Sequence, residues 1–310
     1  MNKKKGARIR FFSWLAAAAV MTLILILGIA GVSFGKGKNG CNGGFFMGYS
    51  YPNASKYKVG NFTLEEEIDQ LEINWIAGSV RVEVTEGTQV YAEETKVSDD
   101  DRKMRYLVEN GKLTIQYQKS KFFSFGNWSK SKDLTVYIPR NMAENMNQID
   151  IETVSADIDI SDFKSKGMDF ETVSGQVDIK DLVAKTLDME SVSGDIKGSS
   201  IQTDLLNVEV VSGSVHMEGV FEKAELEAVS GDLMLGCDSF VSEVNAETVS
   251  GDITLYIPED NGFSAELDSV SGDLNTEFAV NGKGDTKVYG NGSAEFDFET
   301  VSGDVWIRKR

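Results

Sequence analysis

The chain has 310 residues, 41% of them hydrophobic and 26% charged, with 30 Gly but only 3 Pro, 2 Cys and 1 His. That composition excludes a disulfide scaffold and a collagen-like chain. A formal charge of −18 opposes binding to a phosphate backbone and argues against nucleic acid as a partner.

The charge is unevenly spread. Residues 1–40 carry seven basic residues (Lys3, Lys4, Lys5, Arg8, Arg10, Lys36, Lys38) and no acid, so beyond them 24 basic residues face all 49 acidic ones. Residues 1–10 read as a basic cytoplasmic tail. From Phe11 to Gly35 nothing is charged, and the run exceeds the roughly 20 residues that cross a ~30 Å hydrocarbon core. The Lys/Arg bias puts the N-terminus in the cytoplasm and the acidic bulk outside. Residues 11–35 are therefore expected to be a transmembrane signal-anchor helix of a single-pass cell-membrane protein. A cleaved signal peptide, whose apolar region usually runs to roughly 7–15 residues, is the alternative.

Residues 36–60 are Gly-rich and read as a linker. Its aromatics Phe45, Phe46, Tyr49 and Tyr51 suit either the headgroup level or packing against the following domain. Cys41 follows Lys38-Asn39-Gly40, which is no lipobox, and Cys237 is far away, so a disulfide is allowed without being implied. Zinc would need about four suitably spaced ligands.

Residues 61–150 read as a β-rich cap region. Strands are expected over 71–76, 79–85, 89–95, 105–108, 112–118 and 133–138, with Asn110-Gly111 as a two-residue hairpin turn. The aromatic stretch Phe122 to Trp128 reads as a loop.

Residues 151–310 are a repeat array. Val-Ser-Gly, or Val-Ser-Ala in the first copy, begins at Val154, Val173, Val192, Val211, Val229, Val249, Val270 and Val301, at spacings of 19, 19, 19, 18, 20, 21 and 31. Ile76-Ala-Gly-Ser-Val80 resembles a degenerate copy. Within a copy, apolar and charged residues alternate, as in Leu187-Asp-Met-Glu, and period two means strand. About 19 residues are too few for a propeller blade and suit one rung of a β-solenoid. The fold class expected is all-β, a β-solenoid array with an N-terminal β cap. Phe170, Leu187, Leu206, Leu226 and Val244 should point inward, as should Ile158, Val177, Ile196, Val215, Leu233, Ile253 and Leu274. The motif Val is out of phase with one of these sets, so a bend must intervene. An inward Val column is the preferred reading, because a long exposed row of Val invites aggregation. The surplus in the last interval, around Val280–Ser293, reads as a loop or hairpin inserted into one repeat.

Thr-Val-Ser-Gly-Asp followed by an aliphatic residue, with Leu134-Thr-Val-Tyr-Ile-Pro139 and Ile253-Thr-Leu-Tyr-Ile-Pro258, resembles the putative-adhesin family of bacterial β-strand-repeat envelope proteins, which includes LiaG-like membrane-anchored members. The resemblance covers roughly residues 65–310. It implies an extracytoplasmic domain at the cell envelope, in some cases near envelope-stress signalling, and transfers no active-site residue.

An acid usually follows the motif: Asp157, Asp195, Asp232, Asp252, Asp273 and Asp304, with Gln176 and Ser214 as exceptions. Paired carboxylates can cleave glycosidic bonds, but they need unlike environments, whereas a column supplies near-identical ones. Backbone N–H bonds in a tight turn explain the Asp without a substrate. Stacked carboxylates would also attract Ca2+, for which Asp195, Asp232, Asp252 and Asp273 are the candidate ligands, although the spacing is not that of calcium-binding solenoids. His216, four residues after Ser212, lacks the setting of a catalytic base. No catalytic residue and no cofactor is expected. The reading is a non-catalytic interaction or regulatory module that docks an envelope protein; an adhesin or wall-polysaccharide-binding module is the alternative.

Overall fold

The computed structural model describes residues 49–95, 97–120, 131–260, 262–282 and 286–310. The expected signal-anchor helix, Cys41, Phe45, Phe46 and the Phe122–Trp128 loop lie outside the described residues. The strands in chain order are β1 (Lys58–Val59), β2 (Phe62–Leu64), β3 (Gln70–Thr85), β4 (Val90–Glu94), β5 (Arg105–Glu109), β6 (Lys112–Gln116) and β7 (Lys132–Pro139). A four-residue helix, α1 (Arg140–Ala143), leads to β8 (Met146–Ser161), β9 (Ser165–Thr172), β10 (Val177–Lys180), β11 (Val183–Ser191), β12 (Ile196–Ser212), β13 (Val215–Ser230) and β14 (Leu233–Cys237). The rest are β15 (Glu243–Ser250), β16 (Ile253–Ile257), β17 (Phe263–Ser271), β18 (Leu274–Thr276), β19 (Thr286–Tyr289), β20 (Ala294–Ser302) and β21 (Val305–Lys309).

Each repeat supplies one strand segment before the Val-Ser-Gly bend and one after it, and both stack in parallel on their neighbours. The segments before the bend form a first wall in the order β6, β3, β8, β9, β11, β12, β13, β15, β20, β17. Those after it form a second wall in the order β7, β3, β8, β10, β12, β13, β14, β16, β21, β18. Period-two alternation sends one side chain in two between the walls. The first wall contributes two buried columns. One contains Met168, Leu187, Leu206, Ala224, Val244 and Phe296; the other contains Phe170, Met189, Val208, Leu226, Ala246 and Phe298. The expected inward residues therefore fall into two columns on this wall rather than one. A small residue can make room for a large neighbour, as where Ala246 lies beside Phe298. All the expected core positions are buried except Leu274, which is half-buried.

The motif Val column is a correction. Val154, Val173, Val192, Val211, Val229, Val249 and Val301 are half-buried on the outside, and Val270 is 59% exposed. In every copy but that of Val270 the residue before the Val goes inside instead: Thr153, Thr172, Ser191, Val210, Ala228, Thr248 and Thr300 are all buried. The bend has polar backbone to satisfy, because a buried amide left without a partner costs about 1–3 kcal/mol. In two copies the inner hydroxyl does it: Gly175 N–H donates to Thr172 Oγ1 at 2.9 Å, Gly194 N–H to Ser191 Oγ at 2.9 Å, and Ser191 Oγ returns a bond to Gly194 O at 3.0 Å. Where Val210 and Ala228 stand inside, the Gly213 and Gly231 amides donate instead to the Ser230 and Ser250 carbonyls of the next rung, each at 3.1 Å. Gly completes the bend by close approach: a Cβ on Gly194 would lie 1.8 Å from Gly175 O, and one on Gly231, at φ +144°, would lie 1.9 Å from Gly213 O.

The rungs do not stack in chain order at either end. The rung made by β3, first in the chain, lies between that of β6 and β7 and that of β8. The final rung, β20 and β21, lies between β15–β16 and β17–β18. The long last interval is therefore a return path, with β19 running antiparallel along β17 and the chain then reversing to fill the vacant place. The reading of an insertion within one repeat is corrected accordingly. Both ends carry antiparallel strands, β2–β4–β7 and β1–β5–β6 at one and β19 at the other, which cover edges that would otherwise template pairing. The Asn110-Gly111 turn joins β5 to β6 with φ of 54° and 79°. Ile76–Val80 does form the bend of a true rung, with Gly78 in register with Ala156. The folded part begins earlier than the expected boundary at residue 61, because Tyr49 is buried with its hydroxyl on Gln116 Oε1 at 2.6 Å.

Candidate functional site

The outer face of the first wall carries stacked rows of acids. Two residues before each motif Val stands an acid, and the register stacks Glu152, Glu171, Glu190, Glu209, Glu227, Glu247, Glu299 and Asp268 in one column. Neighbours in such a column are about 4.8 Å apart. A second row beside it contains Glu72, Asp150, Asp169, Asp188, Asn207, Glu225, Asn245 and Asp297. Among the described residues, Glu152, Glu171, Glu190, Glu209, Glu227 and Glu247 form no ion pair. The Val column flanks them on the other side.

Partial burial between these rows penalises the charged form, and repulsion by neighbouring carboxylates adds to it. Glu152 is pushed up to about 8, and Glu171, Glu190, Glu227 and Glu247 to about 7, each by burial first and stacked acids second. Asp169 rises to about 6 for the same reasons. One oxygen each of Glu152, Glu171 and Glu247 is buried without a hydrogen-bond partner. Near neutral pH Glu152, Glu171, Glu190, Glu227 and Glu247 are thus part-protonated, and adjacent carboxyls among them titrate as a set rather than singly. Among the described residues no three acidic, His or Cys side chains are arranged to hold a metal, which follows from a straight column that does not converge on a point.

The Asp residues after the motif do something else. Asp157 Oδ1 accepts the Gln176 N–H at 2.9 Å, Asp195 Oδ1 that of Ser214 at 2.9 Å, and Asp232 Oδ1 that of Asp252 at 3.0 Å. The chain of bonds continues from Asp304 N–H to Asp252 and from Asp273 N–H to Asp304, so Asp252 and Asp273 are not neighbours. Each candidate calcium ligand except Asp273 thus has one oxygen engaged by the next rung's backbone. His216 stands on the outer face of the second wall beside Glu218 at 3.2 Å, with no serine nucleophile bonded to it. Cys237 is fully buried, and burial pushes its thiol up to about 12.

Two sites were missed by sequence reasoning. The Glu column was legible, since an acid precedes every motif Val by two positions, but the eye-catching Asp masked it. The second is Lys132, whose ammonium lies 4.6 Å from the Trp75 ring centre and 4.5 Å from that of Tyr117, and bonds Glu94 and the carbonyls of Arg102 and Tyr117. Burial lowers it to about 8 against the opposing pull of Glu94. No local pattern marks it, because its partners are spread over the cap.

The family model described as Toastrack DUF4097 matches residues 68–308. The chain belongs to the Toastrack family. A comparison with curated protein sequences returns no match. Among solved structures, the Toastrack chain is similar to a putative adhesin from Bacteroides fragilis, at 16% identity over 82% of this chain and 97% of that one, with a TM-score of 0.39. It is also similar to a putative lipid binding protein from Parabacteroides distasonis, at 16% identity over 81% and 96%, TM-score 0.42. A putative cell adhesion protein from Clostridium sporogenes aligns at 15% identity over 82% and 100%, TM-score 0.28. In the Toastrack array the surface with distinctive chemistry is the Val and Glu face of the first wall.

Proposed function

We propose that this chain is a single-pass envelope protein whose acidic β-solenoid, held outside the membrane, acts by presenting a surface, and that a basic membrane-proximal protein docks on the Val and Glu face. The observation that carries this reading is the half-buried Val column running beside Glu171, Glu190, Glu209 and Glu227, which form no ion pair among the described residues, along consecutive rungs. A contiguous apolar row on a soluble face marks an interaction site. Rows of like charge select a partner of opposite sign and steer its approach. Near-identical carboxylate environments suit general acid–base chemistry poorly, so the role is non-catalytic. Residues 36–48 reach at most about 47 Å when extended, which favours a partner close to the bilayer.

The test is site-directed photo-cross-linking in intact cells. A photoreactive residue at Val192 or Val229 should give a discrete adduct, whereas one at Met234 on the second wall should not. The adduct should vanish in a Glu171→Lys, Glu190→Lys variant. Adducts of equal yield from Met234, or adducts that survive the charge reversal, would remove the docking reading.

A further inference from the structure

On the side of the array opposite the Val-Ser-Gly bends, the chain passes from the second wall back to the first through Asp162, Asp181 and Ser200, each in the left-handed region at φ 69°, 51° and 55°. Just beyond these corners lies a cavity of about 530 Å³, lined by Lys164, Lys166, Lys185, Asn147, Gln202 and Val183 among others. Its chemistry is the reverse of the rest of the domain. Lys164 and Val183 are bridged, and Gly167 pairs with Thr186, so Lys166 and Lys185 are register neighbours on adjacent rungs. Like charges directly opposite one another on a sheet are destabilising.

The same register sets Asp204 opposite Lys185 on the next rung, but at more than ion-pair distance. Among the described residues, Lys164, Lys166 and Lys185 form no ion pair within 4 Å, although acids outnumber bases in this domain about two to one. Lys166 Nζ donates to a neutral acceptor, Asn147 Oδ1, at 2.6 Å. Glu144 and Asp204 also line the cavity, which leaves three ammonium groups against two carboxylates. Another cavity on the array shows the contrast. There Asp159, Asp178 and Glu218 stand with Lys180 and Lys197, so acids outnumber lysines, and Asp159 is paired with Arg81 at 3.1 Å.

We propose that the Lys164–Lys166–Lys185 cavity is a binding site for a phosphate group. A compact ammonium is a point charge suited to phosphate oxygens, and three of them, with the Gln202 amide, can share one anion. Val183, Ala184 and Met146 supply an apolar side against which an organic substituent of the phosphate can lie. The site is independent of the Val and Glu face, since the two involve different residues and opposite charge.

The experiment is titration of the full chain with inorganic phosphate and, separately, with dimethyl phosphate, at constant ionic strength, followed by calorimetry. Inorganic phosphate stands for a free anion and dimethyl phosphate for a diester within a polymer. Saturable binding of at least one probe is expected, weakened about tenfold by Lys166→Gln and further by adding Lys185→Gln, and recovered by Lys166→Arg. Lys197→Gln, in the other cavity, should leave it unchanged. All four lysines are exposed, so the variants should keep the thermal melt of the parent chain. Absence of saturable binding by both probes would overturn the proposal. So would equal loss with Lys197→Gln, or acetate binding as tightly as phosphate.

Discussion

At Gly231 the bend leaves no room for a side chain. A Cβ there would lie 1.9 Å from Gly213 O, and φ of +144° is a conformation that L residues avoid. Gly231→Ala should therefore cost a few kcal/mol, combining overpacking of about 1–3 kcal/mol with backbone strain of similar order. Urea denaturation measures it, with Ser230→Ala, at an exposed neighbour, as the control expected to change stability little. Equal effects at the two positions would mean that the rungs are not stacked at this distance. Hydrogen bonds at the bends settle what alternation alone leaves undecided: at Thr172 and Ser191 the inner hydroxyl bonds the glycine amide, and at Gly231 the amide bonds the Ser250 carbonyl of the next rung.

Stacking turns Glu152, Glu171, Glu190, Glu227 and Glu247 into one element with its own titration. Because Glu152, Glu171, Glu190, Glu227 and Glu247 are raised in the folded chain, the native state binds more protons than the unfolded state between about pH 4.5 and 8. Stability must then fall as pH rises through that window. The melting temperature should be higher at pH 5 than at pH 8, and Glu190→Gln should raise it at pH 8 while flattening the profile. One pKa unit corresponds to about 1.4 kcal/mol, and partial solvent screening brings the gain per residue to on the order of 1 kcal/mol. A melting temperature that rises from pH 5 to pH 8 would show that the column is not held in this environment. The final rung is a second element with a distinct signature. Ending the chain at Ser293 removes β20 and β21 from between β15–β16 and β17–β18, so amides of these four strands should lose hydrogen-exchange protection. Those of β8 to β11 should keep theirs, because each rung contacts only its neighbours. Uniform loss would indicate a single cooperative unit instead.

At the scale of the whole molecule, the region beyond residue 40 sets 24 basic residues against 49 acidic ones. Repulsion among surface carboxylates is screened over a Debye length of about 8 Å in physiological salt, longer than the spacing of about 4.8 Å between rungs. Sodium chloride should raise the melting temperature, and more at pH 8 than at pH 5, since protonation has already quenched the column in acid. A salt response equal at both pH values would locate the repulsion elsewhere. The interlocked ends belong to this scale too. Each terminal rung of the array comes from the second or penultimate rung of the chain, so neither terminal strand of the repeat region lies at an open edge.

Local pattern determined much of this protein. Period two gave the strands, the spacing near 19 gave the stacking, Asn110-Gly111 gave its hairpin, and the Asp that follows most copies of the motif was readable as a backbone acceptor. These features depend on neighbours in the chain or on a strict repeat, both of which a sequence displays directly. Three things were decided only by tertiary structure. Rung order at the ends depends on which vacant place a returning strand fills, and the chain order of repeats carries no trace of it. The outward Val depends on where the phase breaks, which is set by hydrogen bonds formed at the bend. The perturbed Glu column, the caged Lys132 and the basic cavity depend on residues 15 or more positions apart meeting at the spacing of a hydrogen bond or of a rung, where charge and burial act together.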